Sequence, residues 1–237
     1  MKLGIGFNFS TGKYGSSSST DILQIPVTDA YESGPFILRL TVPYIEVTGP
    51  GDVVVGGANG SPVVVVRNGA RRTESGIGDI TAGASYNVLD LPEQKLLVDL
   101  AANVKLPTAD EARGLGTGEL DYSLQADAVT VREEFTFFGT VGYKVFGEPD
   151  AFALDDTVFA SVGGGYKHAS GTVAGLIFDW QEAASPGTQA PFESTVYLSR
   201  EMYPDLSLSG YILKGWSDGS PDFGFGLSVS WRMQVPN

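Results

Sequence analysis

The sequence predicts an all-β fold, a transmembrane antiparallel β-barrel of about twelve strands, on three observations. Apolar residues recur at every second position, connections alternate between short and long, and aromatic residues gather at both ends of the strand segments.

The alternation is clearest in the last segment. Phe223, Phe225, Leu227, Val229, Trp231, Met233 and Val235 share one face, and Gly224, Gly226, Ser228, Ser230 and Arg232 the other. The first segment sets Leu3, Ile5, Phe7 and Phe9 against Lys2, Gly4, Gly6 and Asn8. Ile80 to Val88 and Leu96 to Val104 behave alike. Twelve such segments start near residues 2, 20, 35, 78, 94, 120, 134, 155, 171, 191, 204 and 222. Most are about 9 to 11 residues long, enough for a tilted strand to cross a bilayer.

The connections 10–20, 47–78 and 107–119 are long, whereas 131–134, 168–171 and 202–205 are turn-like. Short periplasmic turns and longer extracellular loops are the outer-membrane pattern, and an even strand count leaves both termini on the short-turn side. Trp180 and Trp216 fall at loop ends and Tyr86 and Trp231 at turn ends, as two interfacial girdles require. A soluble barrel alternates too, but it would turn its glycine-rich face to water. That is an unusual solvent surface.

Composition agrees with this. With 237 residues, 31 glycines, 13 prolines and 18% charged residues, the chain suits a single domain, 1–237, of many short strands. No run approaches eighteen apolar residues, so a transmembrane helix is excluded. Met1 leads straight into strand residues without an apolar signal region and reads as a start placed on a mature chain. Zero cysteines remove disulfides and thiolate metal sites, and the net charge of −13 argues against nucleic acid as a partner.

Several motifs resemble a known family. Val42-Pro-Tyr-Ile-Glu-Val-Thr-Gly-Pro-Gly51, Ser75-Gly-Ile-Gly-Asp-Ile80, Val104-Lys-Leu-Pro-Thr108, Gly114-Leu-Gly-Thr-Gly118 and Asp121-Tyr-Ser-Leu124 resemble the outer-membrane channel family named for the MetA pathway of phenol degradation. The resemblance implies a twelve-stranded barrel that takes up small, often aromatic or hydrophobic compounds. Outer-membrane strands usually end on an aromatic residue, whereas here Gln234-Val-Pro-Asn237 stands last.

Catalytic signals are weak. The only histidine, His168, lies two residues from Ser170 in a turn, without a Gly-x-Ser-x-Gly elbow. An exposed turn histidine explains it better than a hydrolase, so no enzyme, cofactor or metal is expected. Ser16 to Thr20 lacks the Gly-Lys-Ser/Thr ending of a phosphate loop, and Asp155-Asp156 and Glu133-Glu134 lack calcium-loop spacing.

The informative residues are the ionisable ones with inward parity. These are the cations Lys2, Arg39, Lys105, Lys144, Lys167 and Arg232, and the anions Asp79, Asp99, Asp121, Asp127, Asp179, Glu193 and Glu201. They read equally well as ion pairs that fill a small barrel or as a selectivity constriction. Twelve strands fall between a filled eight-stranded barrel and a wide porin. Inward glycines such as Gly163, Gly165, Gly224 and Gly226 are expected to leave room for a narrow path.

In the long loop 49–76, Asp52–Val55 and Pro62–Arg67 flank Gly56-Gly-Ala-Asn-Gly60 as an apolar hairpin. It is a candidate gate carrying Arg67, Arg71 and Arg72 to the mouth, or else an extension of the wall. The expected function is a monomeric passive channel in the bacterial outer membrane. Its partners would be the lipid bilayer, small-molecule solutes and the barrel-assembly machinery. A closed structural or adhesive barrel and a His168 hydrolase are the alternatives.

Overall fold

The computed structural model describes residues 1–50, 53–56, 63–66, 70–150 and 152–233. Arg67 and the terminal run Gln234–Asn237, both weighed above, lie outside the described residues. Among the described residues fifteen strands form. They are β1 (Lys2–Gly12), β2 (Thr20–Ser33), β3 (Phe36–Pro50), β4 (Val53–Gly56), β5 (Val63–Val66), β6 (Arg71–Ile77), β7 (Ile80–Leu91), β8 (Leu96–Leu106), β9 (Asp121–Arg132), β10 (Phe135–Val145), β11 (Thr157–Lys167), β12 (Thr172–Gln181), β13 (Phe192–Tyr203), β14 (Leu206–Gly215) and β15 (Phe223–Arg232).

All but β4 and β5 belong to one antiparallel sheet in the order β2-β1-β15-β14-β13-β12-β11-β10-β9-β8-β7-β3-β6, which the β2–β3 pairing closes. β6 and β7 pair with successive stretches of β3, Tyr44–Pro50 and Phe36–Thr41, so the two occupy one place in the ring. The result is a closed twelve-stranded barrel. Closure leaves the twelve-stranded ring without an open edge, which a sheet in lipid requires, while β6 pairs on one side alone above it. The seam joins β1 to β15 from Lys2 opposite Arg232 to Thr11 opposite Phe223, and the Met1 amino group donates to Met233 O at 3.2 Å.

One rim carries tight connections at 34–35, 92–95, 133–134, 168–171 and 204–205. The other carries the segments 13–19, 107–120, 146–156, 182–191, 216–222 and the excursion through β4, β5 and β6. We call these the turn rim and the loop rim. β6 continues the wall beyond β7, so 71–77 of the long loop 49–76 is wall, while β4 and β5 pair with each other apart from the barrel sheet.

Apolar side chains point outward. Leu3, Ile5, Phe7, Leu124, Val162, Leu198, Ile212, Leu227 and Trp231 are exposed. So large an exposed apolar belt is a surface for lipid rather than water. A ten-residue strand tilted by about 40° spans about 25 Å, the height of an outer-membrane apolar band. Trp180 and Trp216 stand at the loop rim, and Tyr86 and Trp231 at the turn rim.

Candidate functional site: the lumen and its mouth

Strand pairing places the inward face residue by residue. Lys105 faces Asp121, Asp99 faces Asp127, Thr140 faces Asp127, Lys144 faces Thr157, and Asp179 faces Glu193. Lys2 faces Arg232, Arg39 faces Gly83, Lys167 faces Val173, and Glu201 faces Ser207, all towards the turn rim. Asp79 sits at the break between β6 and β7 and reaches the same interior. The register adds two residues that sequence parity misses. Glu32 pairs with the inward Ile37, and the bulge after Asn87 turns Asp90 inward opposite Leu97. Six cations then meet nine anions, a lumen balance of −3 rather than −1.

Under the loop rim these charges form a buried cluster. Lys105 Nζ lies 2.7 Å from Asp121 Oδ2 and 3.3 Å from Asp79 Oδ2, and donates to Thr117 Oγ1 at 2.6 Å. Asp121 accepts from Gly147 N at 3.1 Å, and Asp79 from Ala109 N at 3.0 Å. The cluster therefore ties the segments 107–120 and 146–156 inward. Deeper in the barrel, neutral donors serve the carboxylates. Asp127 accepts from Thr140 Oγ1 at 2.6 Å and Gln125 Nε2 at 2.9 Å, and Asp99 from Asn87 Nδ2 at 2.7 Å.

Above the cluster lies an apolar plug. Tyr14, Ile22, Ile45, Val47 and Leu115 bury one another, with Ala109 and Val64 packed against them. Ile22 and Val47 face each other inward across β2 and β3, Tyr14 comes from the segment 13–19, and Leu115 follows the 3-10 turn Glu111–Arg113. Tyr14 holds φ at +46°, a left-handed backbone that tyrosine rarely adopts. Burial pushes its hydroxyl above the ordinary phenol value, Ser10 beside it pulls the other way, and Glu193, Asp222 and Asp21 add to the rise.

β6 braces the plug. Arg71 reaches Asp21 Oδ2 and Ser19 O, each at 2.6 Å, and Arg113 Nε donates to Glu74 Oε2 at 2.8 Å. Arg72 lies 3.8 Å from Glu74. That bond to Glu74 holds the exposed Arg113 guanidinium above its ordinary value. Arg71 thus joins β6 to the start of β2 and the segment before it, Arg113 joins the segment 107–120 to β6, and Arg72 meets a residue of its own strand.

Below the plug runs a cavity of about 950 Å³. On β2 and β3 the apolar Ile22, Pro26, Pro43 and Ile45 alternate with Gln24, Thr28, Arg39 and Thr41, and Asp99, Asp127, Thr140, Asp179 and Glu193 line the far arc. Inward aromatics that sequence parity does not weigh also occupy the interior of the barrel. Phe138 lies against Gly163, Phe159 against Gly142, Tyr197 against Gly175 and Tyr211 against Gly226, each ring occupying the place of a missing Cβ. The expectation for Gly163, Gly165 and Gly226 is corrected accordingly: a neighbouring ring takes the space above each, so these glycines let aromatics lie flat on the wall. Gly224 has no ring above it.

At the turn rim, His168 Nδ1 lies 2.9 Å from Ser170 Oγ and accepts from Ser170 N at 3.1 Å. The ring nitrogen is occupied in closing the turn. No ion pair holds this histidine among the described residues, so the third member of a hydrolytic triad is missing there.

A closed twelve-stranded barrel with an apolar girdle, a charged lumen and loops folded into one mouth defines the outer-membrane channel class of fold. A family model matches residues 27–233, and the chain belongs to the family described as "Putative MetA-pathway of phenol degradation". Among curated proteins no sequence matches it. Among solved structures it is similar to an outer membrane channel from Pseudomonas putida F1, with TM-score 0.69 and 17% identity over 97% of this chain and 94% of that one. It is also similar to the KdgM porin, with TM-score 0.60 and 9% identity over 99% of this chain and 100% of that one. The CymD monoaromatic hydrocarbon channel follows, with TM-score 0.55 and 11% identity over 99% and 88%. At these identities the likeness is one of fold.

Proposed function

We propose that the protein is a monomeric channel of the bacterial outer membrane through which small molecules, apolar or aromatic ones among them, diffuse without energy coupling. Its partners are the bilayer, the solutes and the barrel-assembly machinery, and it has no nucleic-acid partner and no catalytic role. One observation carries the proposal: an inward cavity of about 950 Å³ whose lining mixes apolar side chains such as Ile22, Pro26, Pro43 and Ile45 with polar and charged ones such as Arg39, Asp99, Asp127 and Thr140. Such a lining offers an aromatic solute apolar surface for its ring and polar groups for its substituents. The mouth plug of Tyr14 and Leu115 acts as the gate, with the β4–β5 hairpin resting on it through Val64.

Planar-bilayer recording with liposome swelling tests this. Small, flickering unit conductance with uptake of single-ring solutes is the expected result. The buried plug favours a second reading, a closed structural barrel. Silence in both assays, with the plug intact and after replacement of Tyr14, would establish that second reading instead.

A further inference from the structure

We infer that a side pocket of the lumen, beneath the loop rim on β10–β13, binds a hydroxylated aromatic monocarboxylate. The pocket has a volume of about 200 Å³ and shares Gln125, Thr140, Asp179 and Glu193 with the main cavity, so a solute reaches it from the path. A cavity of roughly 150 Å³ suffices for benzene. One substituted ring therefore fits and two do not.

The chemistry of the walls orders the ligand. At one end stands Lys144, 1% exposed. Its ammonium has three protons to donate, and Gln181 Oε1 at 3.3 Å is the acceptor recorded among the described residues. The nearby Asp121 is already claimed by Lys105 at 2.7 Å. The rings of Phe146 and Phe159 flank Lys144 Nζ at 5.5 and 5.7 Å from their centroids. Aromatic faces attract a cation but neutralise none of its charge. A ligand carboxylate completes this end, since a buried charge is stable only when paired.

At the other end Asp179 and Glu193 stand directly opposite each other on β12 and β13, and among the described residues no salt bridge reaches either. Two facing carboxylates accept hydrogen bonds and reject a second anion. A ligand hydroxyl suits them, with Ser161, paired to Asp179, beside it. Phe159, paired with Gln181 and pinned flat over Gly142, lines the pocket next to Lys144 and supplies a ring to stack on. Carboxylate, ring and hydroxyl in that order describe a phenolic acid.

The inference rests on the channel reading only in that the lumen delivers the ligand, and the test separates the two. Calorimetric titration of the detergent-purified barrel compares 4-hydroxybenzoate with benzoate, which lacks the hydroxyl, and 4-hydroxybenzyl alcohol, which lacks the carboxylate. The expected result is at least tenfold weaker binding of both analogues. Lys144→Met removes the preference over the alcohol. The wild-type comparison decides the matter even where that variant fails to fold. Equal affinities, no binding, or an unchanged preference in a folded Lys144→Met overturns the site. Bilayer recording on the same preparation reads the channel separately. Conductance without discrimination defeats only the site, and discrimination without conductance defeats only the channel.

Discussion

Lys105 and Asp121 face each other across β8 and β9 with Nζ 2.7 Å from Oδ2, and solvent reaches 1% of one side chain and none of the other. Taking two charges out of water costs several kcal/mol each, so such a pair stabilises only as a unit. Asp79 at 3.3 Å makes the unit a triad that joins the β6–β7 break to β9. Lys105→Met strands two buried carboxylates and is expected to destabilise the barrel by about 3–5 kcal/mol. Urea unfolding in detergent, read by the heat-modifiable mobility of folded barrels, measures it. Adding Asp121→Asn to Lys105→Met should recover part of the loss. A double variant no more stable than the single one would show that the pairing is not what matters.

Tyr14 closes the mouth on a left-handed backbone with φ +46°, which costs about 1–3 kcal/mol. Burial of its ring against Ile22, Ile45, Val47 and Leu115 offsets that cost. Tyr14→Ala keeps the strain and loses about 1.5–3 kcal/mol of ring burial. The closed-to-open ratio should then fall by on the order of tenfold to a hundredfold. Single-channel recording reads this as longer openings, and unchanged dwell times would remove Tyr14 from the gate.

The same residue gives the mouth an alkaline limit. Burial raises the Tyr14 hydroxyl above its ordinary value when the plug is closed. A group whose closed-state pKa is raised favours closure fully below the open-state pKa, about 10 for an exposed tyrosine. That contribution is lost as pH climbs through the closed-state value. Open probability should therefore be flat from neutrality to about pH 9 and rise above about pH 10 in the wild type. Tyr14→Phe cannot ionise and should lack the rise. An equal rise in both proteins would assign it to other groups.

The strand positions were legible because a lipid-facing wall requires an apolar residue at every second place, and the parity of Lys105, Asp121, Asp179 and Glu193 follows from it. Interruptions of the period were not legible. The bulge after Asn87 turns Asp90 inward, and the division at Gly78-Asp79 lets β6 extend the wall while Asp79 turns towards Lys105. The plug was hidden because Tyr14 and Leu115 sit in loops, where no period marks a buried residue. Alternating polarity also says nothing of inward aromatics. Phe138, Phe159, Tyr197 and Tyr211 have inward parity, and a signal was present in the glycine placed across the strand from each.

Braces on the loop rim should act weakly. Arg113 and Glu74 meet at 2.8 Å with side chains 45% and 26% exposed, a setting in which an ion pair contributes about 0.2–1 kcal/mol and salt screens it. Glu74→Gln also removes the partner of Arg72. Modestly shortened closed dwells at low salt, converging towards the wild type in 1 M salt, where the Debye length is about 3 Å, are the expected outcome. Closures as brief as those of Tyr14→Ala would make the brace, not the apolar plug, the main restraint.

Phe159 covers the place where a Gly142 side chain would stand, and a methyl group there would also lie 2.8 Å from Leu124 O. The carbonyl is fixed in the sheet, so the ring must yield. It can move only inward, because the outward parity of β10 belongs to lipid. Gly142→Ala is thus expected to push Phe159 into the side pocket, at a cost of about 1–3 kcal/mol typical of overpacking, and to narrow the path beside Lys144. Lower unit conductance with a lowered unfolding midpoint is the observation that supports this. Phe159→Ala added to Gly142→Ala should restore conductance, since the displaced ring is then gone. Failure of that rescue would mean that the strain is taken up by the β9–β10 backbone and not by the ring.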